Sequence, residues 1–296
     1  MPVYNGESTI RRALDSLLAQ TLPDFEVVVS DNASTDRTET ICGEYAARDP
    51  RVRYYRNPTN LGQIANFNRV FELSRGEYFR WVGCNDWWSP YYAERCAAAL
   101  DAHPEAIMAS CFHEYHGDDG RVWYEEYHGP RVTSPQAHKR FIRMLWFFRA
   151  SRYFFDPIYS MHRRKTLEKT ALLRMMLGAD YVLAAELSLL GPAVHVPEKL
   201  VFQHVTPPAS ADEQIKRFNP RQTKARGYFL RVCGEFGKIV LAYPMSAWQK
   251  ASCLLAIAWL LVAVLERSLR QGIRRKLALR CWARTILTLL KRAEQA

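Results

Sequence analysis

The chain has 296 residues, 48% of them hydrophobic and 12% aromatic, a composition that supports a sizeable core and excludes disorder over most of the chain. Its net charge of +11 fits an anionic partner such as nucleic acid, a phosphorylated small molecule or an anionic membrane, although charge alone names none of them. Seven scattered cysteines without a C-x-x-C pair argue against a structural zinc site or a disulfide framework and favour a reducing cytoplasm.

The first eight residues, MPVYNGES, predict the end of a strand, a turn at Asn5-Gly6 and a helix that begins after Ser8. Apolar residues recur on one face of that helix. A strand that feeds a helix so early needs residues before it. We therefore expect that the true start lies upstream or that the chain was shortened, and that a chain extended by several apolar residues would fold better.

Residues 25–115 alternate between strand-like and helix-like runs. The strands are predicted at 25–30, 52–57, 77–83 and 106–115, and the helices at 34–49, 64–74 and 90–102. This order predicts an α/β fold with a mostly parallel sheet flanked by helices. Such sheets bind ligands where the carboxyl ends of their strands meet the loops.

The pattern changes in the second half of the chain. A hairpin is predicted at 118–128, a mainly helical region at 134–190 and a strand at 193–205. After Pro207-Pro208 helical segments dominate, and 252–265 is an uninterrupted apolar run. The chain is thus expected to consist of a domain over 1–205 and a helical C-terminal extension over 206–296.

Polar residues follow two of the predicted strands in ways that permit ligand binding. In VVVSDNASTD, an acid at Asp31 can accept hydrogen bonds from a base or ribose, but ordinary turn and cap chemistry explains the same residues equally well. In NPTNLGQIANFN, Gly62 lets the backbone approach a ligand, and the N-terminus of the following helix favours anions. Taken alone, a polar loop needs no ligand.

A third run, FRWVGCNDWWSP, ends a strand at Asn85-Asp86. A carboxylate just past a buried strand is well placed to hold a divalent cation against a diphosphate, since hard cations take oxygen ligands. Trp87 and Trp88 are expected either to line a sugar or base or to belong to the core.

The runs PVYNGE, SDNASTD, NLG…N and WVGCNDWWSP occur in this order, each at a strand end. Together they resemble the nucleotide-sugar domain of the family 2 inverting glycosyltransferases, which have the GT-A fold. The resemblance covers about residues 1–205 and implies a catalytic domain there, its first strand truncated at the N-terminus. It also implies transfer of a sugar, with inversion, from a nucleotide-diphosphate sugar to a saccharide or lipid-linked acceptor, in the synthesis of surface polysaccharide or cell-envelope glycan.

The resemblance implies a set of donor-binding residues. These are Pro2, Tyr4, Glu7, Asp31, Asn32, Gly62, Asn66 and Asn85. Pro2, Tyr4 and Glu7 would border the base and ribose, and Asp31 and Asn32 would face the base. The family often has two acids at the latter pair, and Asn32 departs from that pattern. An amide still pairs with a pyrimidine edge, so uridine or thymidine diphosphate is favoured.

The family commonly has Asp-x-Asp or Asp-Asp before the W-x-P segment, whereas this sequence reads Gly83-Cys84-Asn85-Asp86. Asp86 is expected to hold Mg²⁺ or Mn²⁺, with Asn85 as a weaker oxygen donor. Fewer carboxylates imply weaker metal binding or binding that needs the diphosphate. A degenerate, inactive site is the alternative.

Two further residues enter through the resemblance. Asp180 in GADYVLAAELSLLG stands where the family carries the catalytic base, which takes the proton from the acceptor hydroxyl; alternatively it caps a helix beginning at Tyr181. Glu186 is expected to be a polar-face or structural residue. His204 in LVFQHVTPPAS would contact the diphosphate or the metal, although a lone histidine is otherwise structural.

The apolar run at 252–265 would span about 21 Å as a helix, short of the roughly 30 Å hydrocarbon core. Basic residues surround it, so 250–292 is expected to contact an anionic membrane at the cytoplasmic face, unless it forms a packed helical pair or an oligomer contact. Two rival functions are a nucleotide-sugar-binding protein without catalysis and a nucleic-acid-binding protein. The second is disfavoured because the basic residues cluster in the tail without a reader motif.

Overall fold

The structure is a computed structural model that describes residues 1–124, 132–150, 157–205, 228–264 and 266. The helices are α1 Ile10–Leu18, α2 Thr38–Arg48, α3 Gln63–Leu73, α4 Tyr92–Ala102, α5 Ala137–Ala150, α6 Arg164–Leu167, α7 Ala179–Leu190, α8 Tyr228–Ala242 and α9 Ala247–Val264. The strands are β1 Pro2–Val3, β2 Val27–Asp31, β3 Val52–Arg56, β4 Tyr78–Phe79, β5 Trp87–Trp88, β6 Met108–Gly117, β7 Val122–Tyr124, β8 Met161–Arg163 and β9 Ala193–Val205.

The N-terminal half forms a parallel sheet in the order β1-β2-β3. Its middle strand, β2, is buried along its whole length, as its β-branched run predicts. Helix α1 buries the apolar face that the sequence predicts, including Ile10 and Leu14. Because the strands are parallel and in register, Val3, Asp31 and Arg56 end at the same edge of this sheet.

A second sheet has the order β4-β8-β6-β9-β5, with β7 paired to β6. The pairing of β6 with β9 is parallel, and the other pairs are antiparallel. The expectation of a mostly parallel sheet therefore describes the first sheet, whereas the second is mixed. The predicted strand at 193–205 is confirmed as β9, and the described part of the predicted hairpin is β7 with the turn before it; residues 125–128 lie outside the described residues.

Short strands account for most differences from the predicted elements. Strand β8 lies within the region predicted to be mainly helical, and β5 lies in a predicted loop. Segments of two or three residues are too short to produce a periodic pattern. The predicted strand at 77–83 pairs only at β4, and Trp81 beyond it is fully buried as part of the core.

The C-terminal helices share a core with the rest of the chain. Helices α8 and α9 pack on α5 and α7 through a cluster that includes Val182, Phe236 and Ile257. Helix α9 begins at Ala247 and has 18 residues, so its length is about 27 Å rather than the 21 Å expected from the apolar run. Residues 206–227 and 267–296, which hold most of the predicted extension, lie outside the described residues.

Helix α9 carries an exposed apolar face. Trp248, Leu255, Trp259 and Val262 are each at least half exposed. Within the described ranges, α9 is the helix long and apolar enough to cross a membrane, judged by length and composition alone, and 17% of it is buried. Core helices of water-soluble proteins pass the same test, so the observation establishes an unusually apolar exposed surface and no more.

Candidate active site

Asp31 ends β2 and has no exposed surface. Its Oδ1 accepts hydrogen bonds from the backbone N–H and the hydroxyl of Ser34 at 2.9 and 2.5 Å. Its Oδ2 accepts hydrogen bonds from the Tyr54 hydroxyl at 2.8 Å and the Arg56 guanidinium at 2.9 Å. Both oxygens are engaged within the protein, so a base would reach Asp31 only if Tyr54 or Arg56 moved. The turn interpretation fits this geometry, and base recognition by Asp31 stays a prediction.

Asn32 organises the loop that leads into α3. Its Nδ2 donates to Asn60 Oδ1 at 2.8 Å, and its Oδ1 accepts from the Leu61 backbone N–H at 2.8 Å. Gly62, the residue before α3, has a φ of 83°, a backbone conformation that side chains other than glycine rarely adopt. Asn32 and Gly62 therefore shape the same loop, as the donor-site prediction requires, although direct contact with a donor is untested.

Asn66 fastens α3 to the end of β2. Its Oδ1 accepts hydrogen bonds from the Ser30 hydroxyl at 2.7 Å and from Asn57 Nδ2 at 2.9 Å, and its Nδ2 donates to the Ser30 carbonyl at 2.9 Å. Asn57 is buried, and among the described residues its Oδ1 has no hydrogen-bond partner. This oxygen has almost no accessible surface, so a ligand would reach it only if the surrounding loop moved.

The loop after β1 contributes one open aromatic side chain. Tyr4 is half exposed, whereas Pro2 is buried within β1. Glu7 is exposed but engaged, since its Oε2 accepts a hydrogen bond from the Arg37 backbone N–H at 2.9 Å. Of these three predicted donor contacts, Tyr4 and Glu7 are therefore exposed and Pro2 is not.

Asp86 lies in the loop before β5 and is almost fully buried. Burial raises the pKa of Asp86 to about 6. The positive charge of Arg80, a hydrogen bond from the His204 backbone N–H and one from the Gln203 side chain oppose that rise. Asp86 is thus held against the end of β9 in a weakly polar environment.

The oxygens of Asn85 and Asp86 converge over Gly83. A Cβ placed on Gly83 would lie 2.7 Å from Asp86 Oδ2 and 3.1 Å from Asn85 Oδ1, so glycine leaves room beside both oxygens. Within the described ranges, no group of three or more His, Cys, Asp or Glu residues comes together. The residues therefore fit a divalent cation as two oxygen ligands that other ligands must complete.

The His204 side chain points to another acid. Its Nε2 lies 3.0 Å from Asp118 Oδ1, while its backbone carbonyl accepts a hydrogen bond from Asn85 Nδ2 at 3.3 Å. The backbone of His204 therefore belongs to the Asp86 site. A role for its imidazole as a metal or diphosphate ligand would require the contact with Asp118 to break, and that role stays a prediction.

Asp180 is the second residue of α7, and its side chain reaches solvent although protein surrounds it. Burial raises the pKa of Asp180, and hydrogen bonds from the Tyr181 backbone N–H and its own oppose the rise. The interpretation of Asp180 as the cap of a helix beginning at Tyr181 is wrong in position, because α7 begins at Ala179 after Gly178. The carboxylate borders a cavity of about 150 Å³ that Gln63 of α3 also lines.

The turn before α7 is braced from two sides. Gly178 has a φ of 80°, and a Cβ there would lie 2.8 Å from the Val232 side chain of α8. Arg174 forms ion pairs with Glu186 of α7 at 3.0 Å and with Glu235 of α8 at 3.4 Å. Glu186 is therefore structural, as the sequence predicts, and the position of Asp180 depends on α8.

The loops that follow β1 and β2 are bonded to each other, and the loop of Cys84 lies against the first of them. The Cys84 Sγ would lie 3.4 Å from a Cβ on Gly6, and the loop containing Gly6 is bonded to the loop after β2 by the hydrogen bond from Asn5 N–H to Ser34 Oγ at 2.9 Å. From there Asn32 leads to the start of α3. Gln63, at that start, lines the cavity beside Asp180. Asp180, the predicted base, therefore borders a cavity shared with the start of α3, whereas Asp86, the predicted metal ligand, lies beside the end of β9.

Sequence patterns did not indicate several partners of these site residues. Tyr54 and Arg56 read as ordinary residues of an alternating strand, and parallel register alone brings them to Asp31. Gln203 lies far along the chain from Asp86, so no local spacing connects them. Asn57 belongs to a cluster of asparagines that is visible in the sequence. That its Oδ1 has no hydrogen-bond partner among the described residues is visible only in the structure.

A parallel sheet with polar loops at one edge, followed by a mixed sheet that carries a carboxylate beside its entry, is the architecture of GT-A glycosyltransferase domains. The family model for glycosyl transferase family 2 matches residues 1–170. Since this is more than half of the chain, the protein belongs to glycosyl transferase family 2.

Known proteins share parts of the chain. The uncharacterized protein Rv1520 of Mycobacterium tuberculosis is 43% identical over 126 residues, which are 42% of this chain and 34% of that protein; the match thus spans about a third of the length of this relative. The S. aureus TarS 1–349 structure in complex with UDP-GlcNAc has a TM-score of 0.64 at 18% identity, covering 86% of this chain and 68% of that one.

A second structural neighbour is the mannosyltransferase PcManGT from Pyrobaculum calidifontis in complex with GDP-Man and Mn²⁺. Its TM-score is 0.50 at 18% identity, covering 92% of this chain and 78% of that one. At these identities the two structures establish that the fold is shared, and nothing finer.

Proposed function

We propose that this chain transfers a sugar from a nucleoside-diphosphate sugar to a hydroxyl of a saccharide or lipid-linked acceptor, with inversion, in the synthesis of a surface polysaccharide or cell-envelope glycan. Family membership supports the reaction class. Complexes of the structural neighbours with UDP-GlcNAc and with GDP-Man support a nucleotide-sugar donor, and uridine is favoured as the base. The observation that carries the proposal is the accessible Asp180 carboxylate beside a cavity that the start of α3 also lines.

Asp180 acts as the general base. Burial raises the pKa of its carboxyl, which makes it a stronger base than an ordinary aspartate. It takes the proton of the acceptor hydroxyl as the acceptor oxygen bonds to the anomeric carbon. The bond from that carbon to the diphosphate oxygen breaks, and the nucleoside diphosphate leaves with the electron pair. A single in-line displacement inverts the configuration.

The donor lies against the loops that follow β1, β2 and β3. Tyr4 and the loop of Asn32 border the base and ribose, and the backbone at Gly62 and the N-terminus of α3 face the diphosphate. Asp31 holds the loop in shape through Ser34 and Arg56.

Asp86 and Asn85 would hold a Mg²⁺ or Mn²⁺ ion, since their oxygens converge over Gly83. When bound, such an ion neutralises the charge that develops on the leaving diphosphate. The neighbour PcManGT was crystallised with Mn²⁺. Because the chain offers two oxygens here, we expect the diphosphate to complete the coordination and metal affinity to be low without it.

A second candidate function is nucleotide-sugar binding without turnover. The single carboxylate at the metal position and the engagement of the His204 imidazole by Asp118 favour it. The two functions differ in one measurable respect, because a transferase releases free nucleoside diphosphate from its donor and a binding protein does not.

The test begins with thermal shifts of the full chain against a panel of nucleotide sugars, each with and without Mn²⁺. The best donor is then incubated with the protein, and released nucleoside diphosphate is measured. We expect release that Asp180→Asn lowers at least 100-fold and that Asp24→Asn, an exposed control, leaves unchanged. Normal turnover by a folded Asp180→Asn protein would rule out the base assignment. Donor binding without any release would favour the second function.

Residues 250–292 dock the protein on an anionic membrane at its cytoplasmic face, beside a catalytic domain over 1–205. The exposed tryptophans of α9 support this proposal, since indole rings prefer the membrane interface, and basic residues follow in the sequence beyond α9. Flotation with anionic vesicles tests it. We expect co-flotation that Trp259→Glu weakens; recovery of the native chain in the soluble fraction at low salt would count against the membrane contact.

A further inference from the structure

The cavity beside Asp180 is mostly apolar. Its volume is about 150 Å³. The walls are Ile64, Phe67, Ile158, Tyr159, Leu173 and Met176. Polar side chains border it at Gln63 and at Asp180. The cavity thus places one carboxylate beside walls whose side chains belong to the hydrophobic core or pack against it.

Hydrogen bonds to the backbone fix the positions of the wall segments relative to one another. Asn68 of α3 donates to the Leu173 carbonyl at 2.9 Å and accepts from the Leu173 N–H at 3.1 Å. The Trp81 indole N–H donates to the Phe67 carbonyl at 2.8 Å. Arg174 ties the same segment to α7. Fixed walls keep the cavity open, because well-bonded backbone cannot move to fill it.

We propose that this cavity is an acceptor subsite that receives an apolar group of about one six-membered ring, attached next to the hydroxyl that Asp180 deprotonates. The inference rests on the proposed function. An apolar cavity of about 150 Å³ in another protein stays dry and binds benzene, which sets the size of the occupant. A fully hydroxylated ring would bury hydroxyls without partners against these walls and is therefore a poor fit.

Matched glycosides test the subsite directly. Phenyl and methyl β-glycosides of glucose, galactose and N-acetylglucosamine are titrated into the full chain saturated with UDP, and binding is measured by calorimetry. We expect at least one phenyl glycoside to bind about tenfold more tightly than its methyl counterpart, which corresponds to about 1.4 kcal/mol. The same preference is expected in the KM for glycosyl transfer.

Two adjacent methionines provide a matched pair of variants. Met176 lines the cavity, whereas Met175 is 48% exposed and does not. Met176→Gln is expected to remove most of the tenfold preference, and Met175→Gln to leave it intact, with donor affinity unchanged in both. Ala179→Leu is expected to remove the same preference for the phenyl glycoside, because the larger side chain at the first residue of α7 occupies the cavity. This variant replaces Met176→Gln if the latter does not fold.

The outcomes separate the subsite from the activity. Equal binding of phenyl and methyl glycosides in all three pairs, or a preference that survives both Met176→Gln and Ala179→Leu, overturns the subsite whatever the turnover. If the native chain binds no nucleotide sugar but still prefers the phenyl glycoside, the proposed function is wrong and the cavity remains an apolar binding site.

Discussion

Replacing Asp31 by asparagine is expected to destabilise the fold even when no ligand is bound. The two side chains are nearly the same size, so the change acts through charge and hydrogen bonding. In the native chain four donors point at the two carboxylate oxygens. Of these, the Arg56 guanidinium and the Ser34 backbone N–H approach opposite oxygens and cannot become acceptors.

The magnitude follows from that geometry. An amide has one oxygen, so its NH₂ must face either Arg56 or the Ser34 N–H. Loss of a charge-assisted hydrogen bond costs about 1.5–3 kcal/mol, and an unsatisfied buried donor costs about 1–3 kcal/mol. Arg56 is 35% exposed and regains water, which reduces the sum. We expect a loss of about 3 kcal/mol from the free energy of unfolding.

Urea denaturation of the full chain measures this quantity. Tyr54→Phe, which removes one hydrogen bond to Asp31, is expected to cost about 1 kcal/mol, and Asp24→Asn, at an exposed site, less than 0.5 kcal/mol. If Asp31→Asn unfolded within 1 kcal/mol of the native chain but lost affinity for UDP, the carboxylate would serve recognition, and the reasoning from its saturated hydrogen bonds would be wrong.

Three further predictions concern the base and its support. The rate of transfer should fall as pH decreases through the raised pKa of Asp180, so the acidic limb of the kcat profile should lie above the value near 4 of an ordinary aspartate; a limb at or below 4 contradicts the base role. Arg174→Met should lower the free energy of unfolding by about 2 kcal/mol, because it leaves Glu186 without its ion-pair partner while Glu235 keeps Lys238, and Arg174→Lys by less; equal urea midpoints for all three proteins would refute this. Gly178→Ala should cost about 1–2 kcal/mol through its left-handed backbone and the Val232 contact, and an unchanged melting temperature would argue against that strain.

The sequence predicted the elements whose periodicity runs over many residues. The apolar face of α1 is confirmed because its buried residues recur at helical spacing. The strand at 193–205 is also confirmed, although its burial does not alternate regularly. The strands β5 and β8 were missed because two or three residues carry no period, and their pairing depends on β9 and β6 from distant parts of the chain.

Motif order led to the family, but not to the partners of each side chain. Asp31 was open to two interpretations from the sequence, and the donors that distinguish them come from β3 through parallel register. The walls of the cavity beside Asp180 come from α3 and from the segments before α7. Long-range packing brings them together, and no local pattern encodes it. The assignments of base, metal and donor residues stay predictions for the experiments above.

The packing of Val232 against Gly178 limits how far this protein can be shortened from its C-terminal end. The change of composition suggests that the chain could be cut after residue 205. That cut would remove Val232 and the rest of α8, which pack against the turn that positions Asp180. A shortened protein that proved inactive would then say nothing about whether the missing helices touch lipid or substrate. These helices pack against α7 and so support a carboxylate that lies earlier in the chain.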